Sequence, residues 1–122
     1  MAEVITVSAL NRYVKSLFDA NDRLFDLALR GEVANFVQNA RSGHCYFTLK
    51  DAQGQLRCAI FRRAAGLLGW EPREGDRVEA LGRLAVYEAR GDLQLVVESL
   101  RRSGQGELYE AYLRIKADLE AK

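Results

Sequence analysis

Apolar and polar residues alternate in two short neighbouring segments near the middle of the chain. The apolar positions are Cys45, Phe47 and Leu49 in the first segment and Leu56, Cys58 and Ile60 in the second. A period of two is typical of strands that bury one face. The intervening residues, Asp51-Ala52-Gln53-Gly54, favour a turn. The pattern therefore predicts a β-hairpin.

The alternation also predicts the register of this hairpin. A slip of one residue would turn every side chain of one strand to the wrong face. Pairing Phe47 with Cys58 brings the two apolar sets together on one side of the hairpin. The same register predicts an outer face on which aromatic rings lie beside cations. We expect this outer patch to contain His44, Tyr46, Lys50, Arg57 and Phe61. Exposed rings that stack on bases, beside cations that pair with phosphates, are typical of single-stranded nucleic-acid binding.

Helical periodicity appears at both ends of the chain. Near the N-terminus, an apolar stripe runs from Leu10 to Phe18, and Ser8 precedes it as a suitable N-cap. We expect this stripe to pack against the core or against another domain. Leu108, Tyr112, Ile115 and Leu119 recur at helical spacing near the C-terminus. We interpret this second helix as a linker into a following region.

Three further strands and a short helical segment complete the pattern. The strand pattern of alternating apolar residues appears at 24–36, 77–87 and 93–100. The segment 62–70 favours one or two helical turns, and we expect its Leu67, Leu68 and Trp70 to close one end of the core. Gly31 within the first strand indicates a bulge, a sharp bend or a close backbone approach. The order β-β-β-α-β-β predicts a mainly β protein with flanking helices. Its expected architecture is the OB-fold, a five-stranded Greek-key barrel that binds oligonucleotides on its strand 2–3 face.

Composition and charge fit one globular domain. The 122 residues are 48% hydrophobic and carry a formal net charge of +1. Residues 30–63 hold six basic and two acidic groups, so the positive charge is concentrated around the hairpin, although chance clustering would give the same pattern. The sequence contains neither a membrane-length apolar run nor a signal-peptide pattern. We therefore expect a cytoplasmic protein.

The sequence contains few side chains in an arrangement that is typical of a catalytic site. Cys45 and Cys58 lack metal-ligand spacing, and we expect both to be buried free thiols. His44 is the only histidine, so a histidine pair for metal or acid–base chemistry is absent. The loop carboxylates Asp51, Glu88 and Asp92 are scattered over two hairpins. We therefore expect neither a metal nor a cofactor.

Five segments of the chain resemble the N-terminal domain of the large subunit of bacterial exodeoxyribonuclease VII. They are VSALNRYVK at 7–15, RGEVANF at 30–36, SGHCYFTLKD at 42–51, RCAIFR at 57–62 and VYEARGDLQL at 86–95. The resemblance implies an enzyme that cleaves single-stranded DNA into oligonucleotides, works with a small helical subunit and requires no divalent metal. It also implies that the catalytic residues lie in a region that follows this chain.

The resemblance implies a single-strand-binding role for the barrel. This role falls on the outer patch, with Phe36 and Arg41 added by one loop and Tyr87 and Arg90 by another. The expected organisation is an N-terminal helix at 1–23, a barrel at 24–102 and a linker helix at 103–122. An alternative role is assembly, in which the terminal helices dock on neighbouring domains or subunits. Their apolar stripes would also allow self-association.

Overall fold

A computed structural model describes residues 2–103 of the chain. The elements are α1 (Val7–Asp19), a 3₁₀ turn (Asp22–Leu24), β1 (Leu27–Gln38), β2 (Cys45–Lys50), β3 (Gln55–Ile60), α2 (Arg62–Gly66), β4 (Arg77–Tyr87) and β5 (Asp92–Arg102). The five strands close a barrel in the order β1-β2-β3-β5-β4. This topology confirms the predicted barrel. The predicted C-terminal helix lies outside the described residues.

The hairpin formed by β2 and β3 has the predicted register. Phe47 pairs with Cys58, and Leu49 pairs with Leu56. Cys45, Phe47 and Cys58 are buried in the core, and both cysteines are free thiols, as expected. The match is consistent with the two apolar sets, because a slip of one residue would turn one of them away from the core.

Strand β1 serves two neighbours, and Gly31 lies where it passes from one to the other. Residues 27–32 pair with β4, whereas residues 32–38 pair with β2. A Cβ atom at Gly31 would lie 2.8 Å from Leu49 Cγ and 2.9 Å from the Lys50 carbonyl oxygen. Of the three predicted roles, the structure therefore assigns close backbone approach to this glycine.

Two bulges that the alternation did not predict change which side chains face the core. One lies between Ala34 and Val37, where Asn35 has a φ of 56°. The other lies between β4 and β5, where Leu81 pairs with Ser99 and Gly82 pairs with Val97. A bulge adds one residue to one strand and so reverses the phase beyond it. The second bulge explains why the apolar residues of β5 occupy both phases.

The core is formed by inward residues from all five strands. Val33, Ile60, Val78, Leu95 and Val97 are its largest fully buried side chains. At one end, α2 and the loop after it pack partly buried apolar residues against this cluster. Leu68 and Trp70 pack there as predicted, and the Trp70 indole N–H donates to the Leu100 carbonyl at 3.3 Å. Leu67 is 79% exposed, so its predicted place in the core is wrong, because α2 ends before it and turns its side chain outward.

The predicted starts of α1 and β1 are wrong. The N-cap of α1 is Thr6, not Ser8, because Thr6 is extended and its Oγ1 accepts the Ala9 N–H at 3.0 Å, while Ser8 is already helical. Strand β1 begins at Leu27 instead of residue 24, because Asn21 caps the intervening 3₁₀ turn. Along α1, part of the apolar stripe stays exposed beside its contact with β4. Neither described helix is long enough to cross a membrane.

Candidate nucleic-acid interface

An open groove of about 520 Å³ crosses the outer face of β2 and β3 and continues beneath the β4–β5 loop. Five of the predicted site residues line it: Tyr46, Arg57, Phe61, Tyr87 and Arg90. We call it the aromatic groove. Its lining comes from β1, from the β2–β3 hairpin and from the β4–β5 hairpin, and barrel closure brings these elements together. Past Arg57, a further depression extends along β3 to Gln55.

Three aromatic rings present exposed surface in this groove. Tyr46 is 45% exposed, Phe61 41% and Tyr87 55%. Tyr46 projects outward because Cys45 and Phe47, its neighbours on β2, point into the core. Phe61 follows the last residue of β3, and Tyr87 ends β4. Each ring can offer a face to an unpaired base, and such stacking tolerates any base.

The cations of the groove are accessible to a ligand. Arg57 Nη1 lies 3.9 Å from Asp92 Oδ2, and the two side chains are 71% and 45% exposed. An exposed pair of this length contributes little stability, so a phosphate can replace the carboxylate at small cost. Arg90 lies in the β4–β5 loop at the groove's edge. The site therefore combines stacking surfaces with two guanidinium groups.

Helix α1 holds the β4–β5 loop in place. Asn11 Nδ2 donates to the Glu88 carbonyl at 3.1 Å, and Arg12 Nε donates to Glu88 Oε1 at 3.2 Å. Gly91 turns the loop with a φ of +70° directly against the Asn11 side chain. These contacts fix the loop that carries Tyr87 and Arg90. Sequence reasoning missed Asn11, because its role depends on a contact 77 residues away.

His44 supports the groove without lining it. Its Nδ1 accepts the backbone N–H of Arg62 at 2.9 Å, at the start of α2. Its ring meets Phe61 edge-on, with centroids 5.2 Å apart and an interplanar angle of 81°. The edge-to-face contact orients Phe61 toward the groove. A phosphate contact by His44 stays a prediction.

Three other predicted residues also lie outside the groove. Phe36 packs on the core, and its ring centroid is 6.0 Å from that of Phe47. Arg41 lies in the β1–β2 loop, where its backbone N–H donates to Asn39 Oδ1 at 2.9 Å. Lys50 is exposed at the end of β2. The contact with Phe47 favours a packing role for Phe36, and binding by all three stays a prediction.

Sequence reasoning missed two residues beside the rings. Asn35 lines the groove, and its backbone N–H donates to Glu74 Oε1 at 2.7 Å. Val37 pairs with Tyr46 in the β1–β2 ladder and is largely exposed. The bulge at Asn35 brings both into place. Asparagine tolerates positive φ better than most residues, so Asn35 was the one sequence feature that could have indicated this bulge.

The described side chains offer little for catalysis. Burial raises the pKa of the Cys58 thiol to about 12 and also raises the pKa of Cys45, so neither is a ready nucleophile. Asp51 accepts the backbone N–H groups of Gln53 and Gly54, which hold its pKa below the usual value. Within residues 2–103, His, Cys, Asp and Glu form no group of three that could hold a metal ion.

Residues 5–101 match the family described as OB-fold nucleic acid binding domain. The chain belongs to this family. As an OB-fold domain it resembles the Exodeoxyribonuclease 7 large subunit of Delftia acidovorans, with 58% identity over 116 residues. That alignment covers 95% of this chain and 25% of the relative. The Neisseria gonorrhoeae protein of the same name is 46% identical over 121 residues, which cover 99% of this chain and 26% of the relative.

These relatives confirm the resemblance to exodeoxyribonuclease VII large subunits. The chain spans about a quarter of the length of the curated relatives it matches.

Solved structures share the fold at low sequence identity. One is a replication protein A heterotrimer bound to single-stranded DNA, with a TM-score of 0.55 and 21% identity over 80% of this chain and 74% of that one. Another is a Synechococcus SSB domain, with a TM-score of 0.53 and 15% identity over 67% of this chain and 99% of that one. At these identities the likeness shows the OB-fold alone.

Proposed function

We propose that this domain binds single-stranded DNA in the aromatic groove, as the nucleic-acid-binding part of an exodeoxyribonuclease VII large subunit. The observation that carries the proposal is the convergence of three exposed rings and two arginines in one open groove. A single strand can splay its bases onto the rings while its phosphates pair with the guanidinium groups. A duplex hides its base faces, so the groove favours single strands.

The proposal extends to the longer protein. The domain positions single-stranded DNA for degradation to oligonucleotides by the catalytic region that follows it in the relatives. The small subunit of the enzyme is the expected partner, through contacts outside this chain. We place this activity in the cytoplasm, in DNA repair. The names of the relatives support the nuclease assignment.

Fluorescence anisotropy of a labelled single strand of about 15 nucleotides tests the binding proposal, since OB-fold sites accept about 4–16 nucleotides. We expect the chain to bind this strand more tightly than a duplex of the same sequence. Tyr46→Ala removes one stacking surface, which costs roughly 1–3 kcal/mol, so Kd should rise about 5- to 150-fold. Tyr13→Ala is the matched control, because Tyr13 is an exposed tyrosine on α1 outside the groove.

Two results would count against binding in the groove. Equal loss of affinity in Tyr46→Ala and Tyr13→Ala would show that the single strand does not bind specifically in the aromatic groove. Failure to bind the single strand even at low salt would favour the assembly role instead. The half-exposed apolar stripe of α1 would then be the surface to examine.

A further inference from the structure

A second groove, of about 250 Å³, lies between α1 and the outer face of β4 and β5. We call it the helix groove; the residues that line it and not the aromatic groove are Lys15, Asp19, Arg83, Ala85, Val86 and Val96. Phe61, Tyr87 and Gln94 line both grooves. The two grooves therefore meet at the pair of exposed rings. A strand that stacks on these rings already touches the mouth of the helix groove.

The helix groove has an apolar floor and a charged rim. Ala85 and Val96 provide a floor of small apolar side chains. Lys15 belongs to α1 and Arg83 to β4, so two cations from different elements line the groove with this floor. An ammonium and a guanidinium are suitable partners for phosphate oxygens. The floor leaves room for sugar and base edges, and the uncharged polar side chain of the groove, Gln94, lies where the two grooves meet.

The carboxylates around this groove already have cationic partners. Asp19 Oδ2 accepts a hydrogen bond from Lys15 Nζ at 2.7 Å, and this bond raises the pKa of Lys15. Glu88 also faces Lys15, but its Oε1 accepts Arg12 Nε at 3.2 Å. The Lys15–Asp19 pair is partly exposed, so a phosphate can share or replace its carboxylate at little cost. Repulsion of a phosphate by these carboxylates is therefore reduced.

We propose that single-stranded DNA leaves the aromatic groove between Phe61 and Tyr87 and continues along the helix groove, where Lys15 and Arg83 contact its phosphates. This inference rests on the proposed function and adds a second segment to its binding path. It gives α1 two roles: the helix braces the β4–β5 loop and forms one wall of the path. Short strands fill the aromatic groove alone, whereas longer strands reach both grooves.

The test compares the salt dependence of binding for oligothymidines of about 5 and about 15 nucleotides. The variant is Lys15→Gln combined with Arg83→Gln. On a single strand, removal of one phosphate contact lowers the steepness of log affinity against log salt by about 0.7, so removal of two lowers it by about 1.4. Over a fourfold rise in salt, that difference is roughly sevenfold in affinity. We expect this change for the longer strand and none for the shorter one.

Three controls separate the path from effects on folding and overall charge. Arg77→Gln removes a cation from the opposite end of β4 and should leave both slopes unchanged. Arg83→Lys, tested alone, keeps the charge and should retain the slope. Unchanged binding of the short strand by the double variant shows that the aromatic groove is intact.

The outcomes distinguish this inference from the proposed function. In one outcome, the double variant keeps the wild-type salt slope for the longer strand while Tyr46→Ala still weakens binding. That result overturns the path along the helix groove and leaves the proposed function standing. Equal slope changes for both strand lengths also overturn it, because they indicate a general charge effect. If the wild-type chain binds neither strand, the proposed function fails and the inference fails with it.

Discussion

Replacement of Gly82 by alanine should destabilise the barrel more than any other glycine-to-alanine change in the described strands. A Cβ atom at Gly82 would lie 2.1 Å from the Val96 carbonyl oxygen, 2.9 Å from its carbonyl carbon and 3.0 Å from Val97 Cα. Heavy atoms pack best at about 3.5 Å, so β4 and β5 would have to separate locally by more than about 1 Å. The obstructing atoms belong to the backbone and cannot rotate away.

The expected loss follows from two contributions. Overpacking costs roughly 1–3 kcal/mol, and weakening two ladder hydrogen bonds beside the bulge adds about 1 kcal/mol each. The free energy of unfolding should therefore fall by about 3–5 kcal/mol, a large part of the roughly 5–15 kcal/mol typical of a domain. Trp70, the only tryptophan, contacts β5 through the Leu100 carbonyl and reports urea unfolding by its fluorescence.

Gly66→Ala provides the matched control for this measurement. A Cβ atom there meets nothing within 4 Å, so its free energy of unfolding should stay within about 0.5 kcal/mol of the wild-type value. A loss below about 1 kcal/mol in Gly82→Ala would refute the reasoning, because a barrel that absorbs this contact cannot depend on close approach at the bulge.

Three further predictions concern the loop, a buried thiol and one groove cation. Gly91→Ala places a side chain at positive φ with its Cβ 2.9 Å from Asn11 Oδ1, so urea unfolding should show a loss of about 1–2 kcal/mol, and an unchanged midpoint would contradict the brace by α1. Cys58 should make stability fall between pH 9 and about 12, because the unfolded chain ionises its thiol first. Its contribution to the slope approaches about 1.4 kcal/mol per pH unit and should be absent from Cys58→Ala, which keeps the fall due to Cys45; identical profiles would argue against the raised pKa of Cys58. Arg57→Ala should lower the salt slope for single-stranded DNA by about 0.7, and Arg77→Ala should not; equal slopes in the two variants would exclude a phosphate contact at Arg57.

The sequence predicted those features that follow from local alternation. The hairpin register is recoverable because Phe47 and Cys58 belong to apolar sets that a slip of one residue would separate, and because the linker between Lys50 and Gln55 is only four residues long. The outward positions of Tyr46 and Arg57 follow from the same phase. The barrel topology followed from the order of the elements together with a long first strand that contains Gly31.

The features that the sequence did not predict depend on bulges and on distant contacts. The bulge at Asn35 reverses the phase of β1, which turns Phe36 toward Phe47. Alternation alone cannot place such a bulge, because the bulge is defined by the pairing with the neighbouring strand. The brace between Asn11 and Glu88 joins residues 77 positions apart, and nothing local to either residue indicates it.

The most direct test of the central claim is an NMR titration of the isotopically labelled chain with a single-stranded oligonucleotide of about 6 nucleotides, a length within the range that one OB-fold accepts. Binding in the aromatic groove predicts that the backbone amide shifts concentrate at Tyr46, Arg57, Phe61, Tyr87 and Arg90. Shifts confined to the opposite side of the barrel, or none at saturating oligonucleotide, would contradict it.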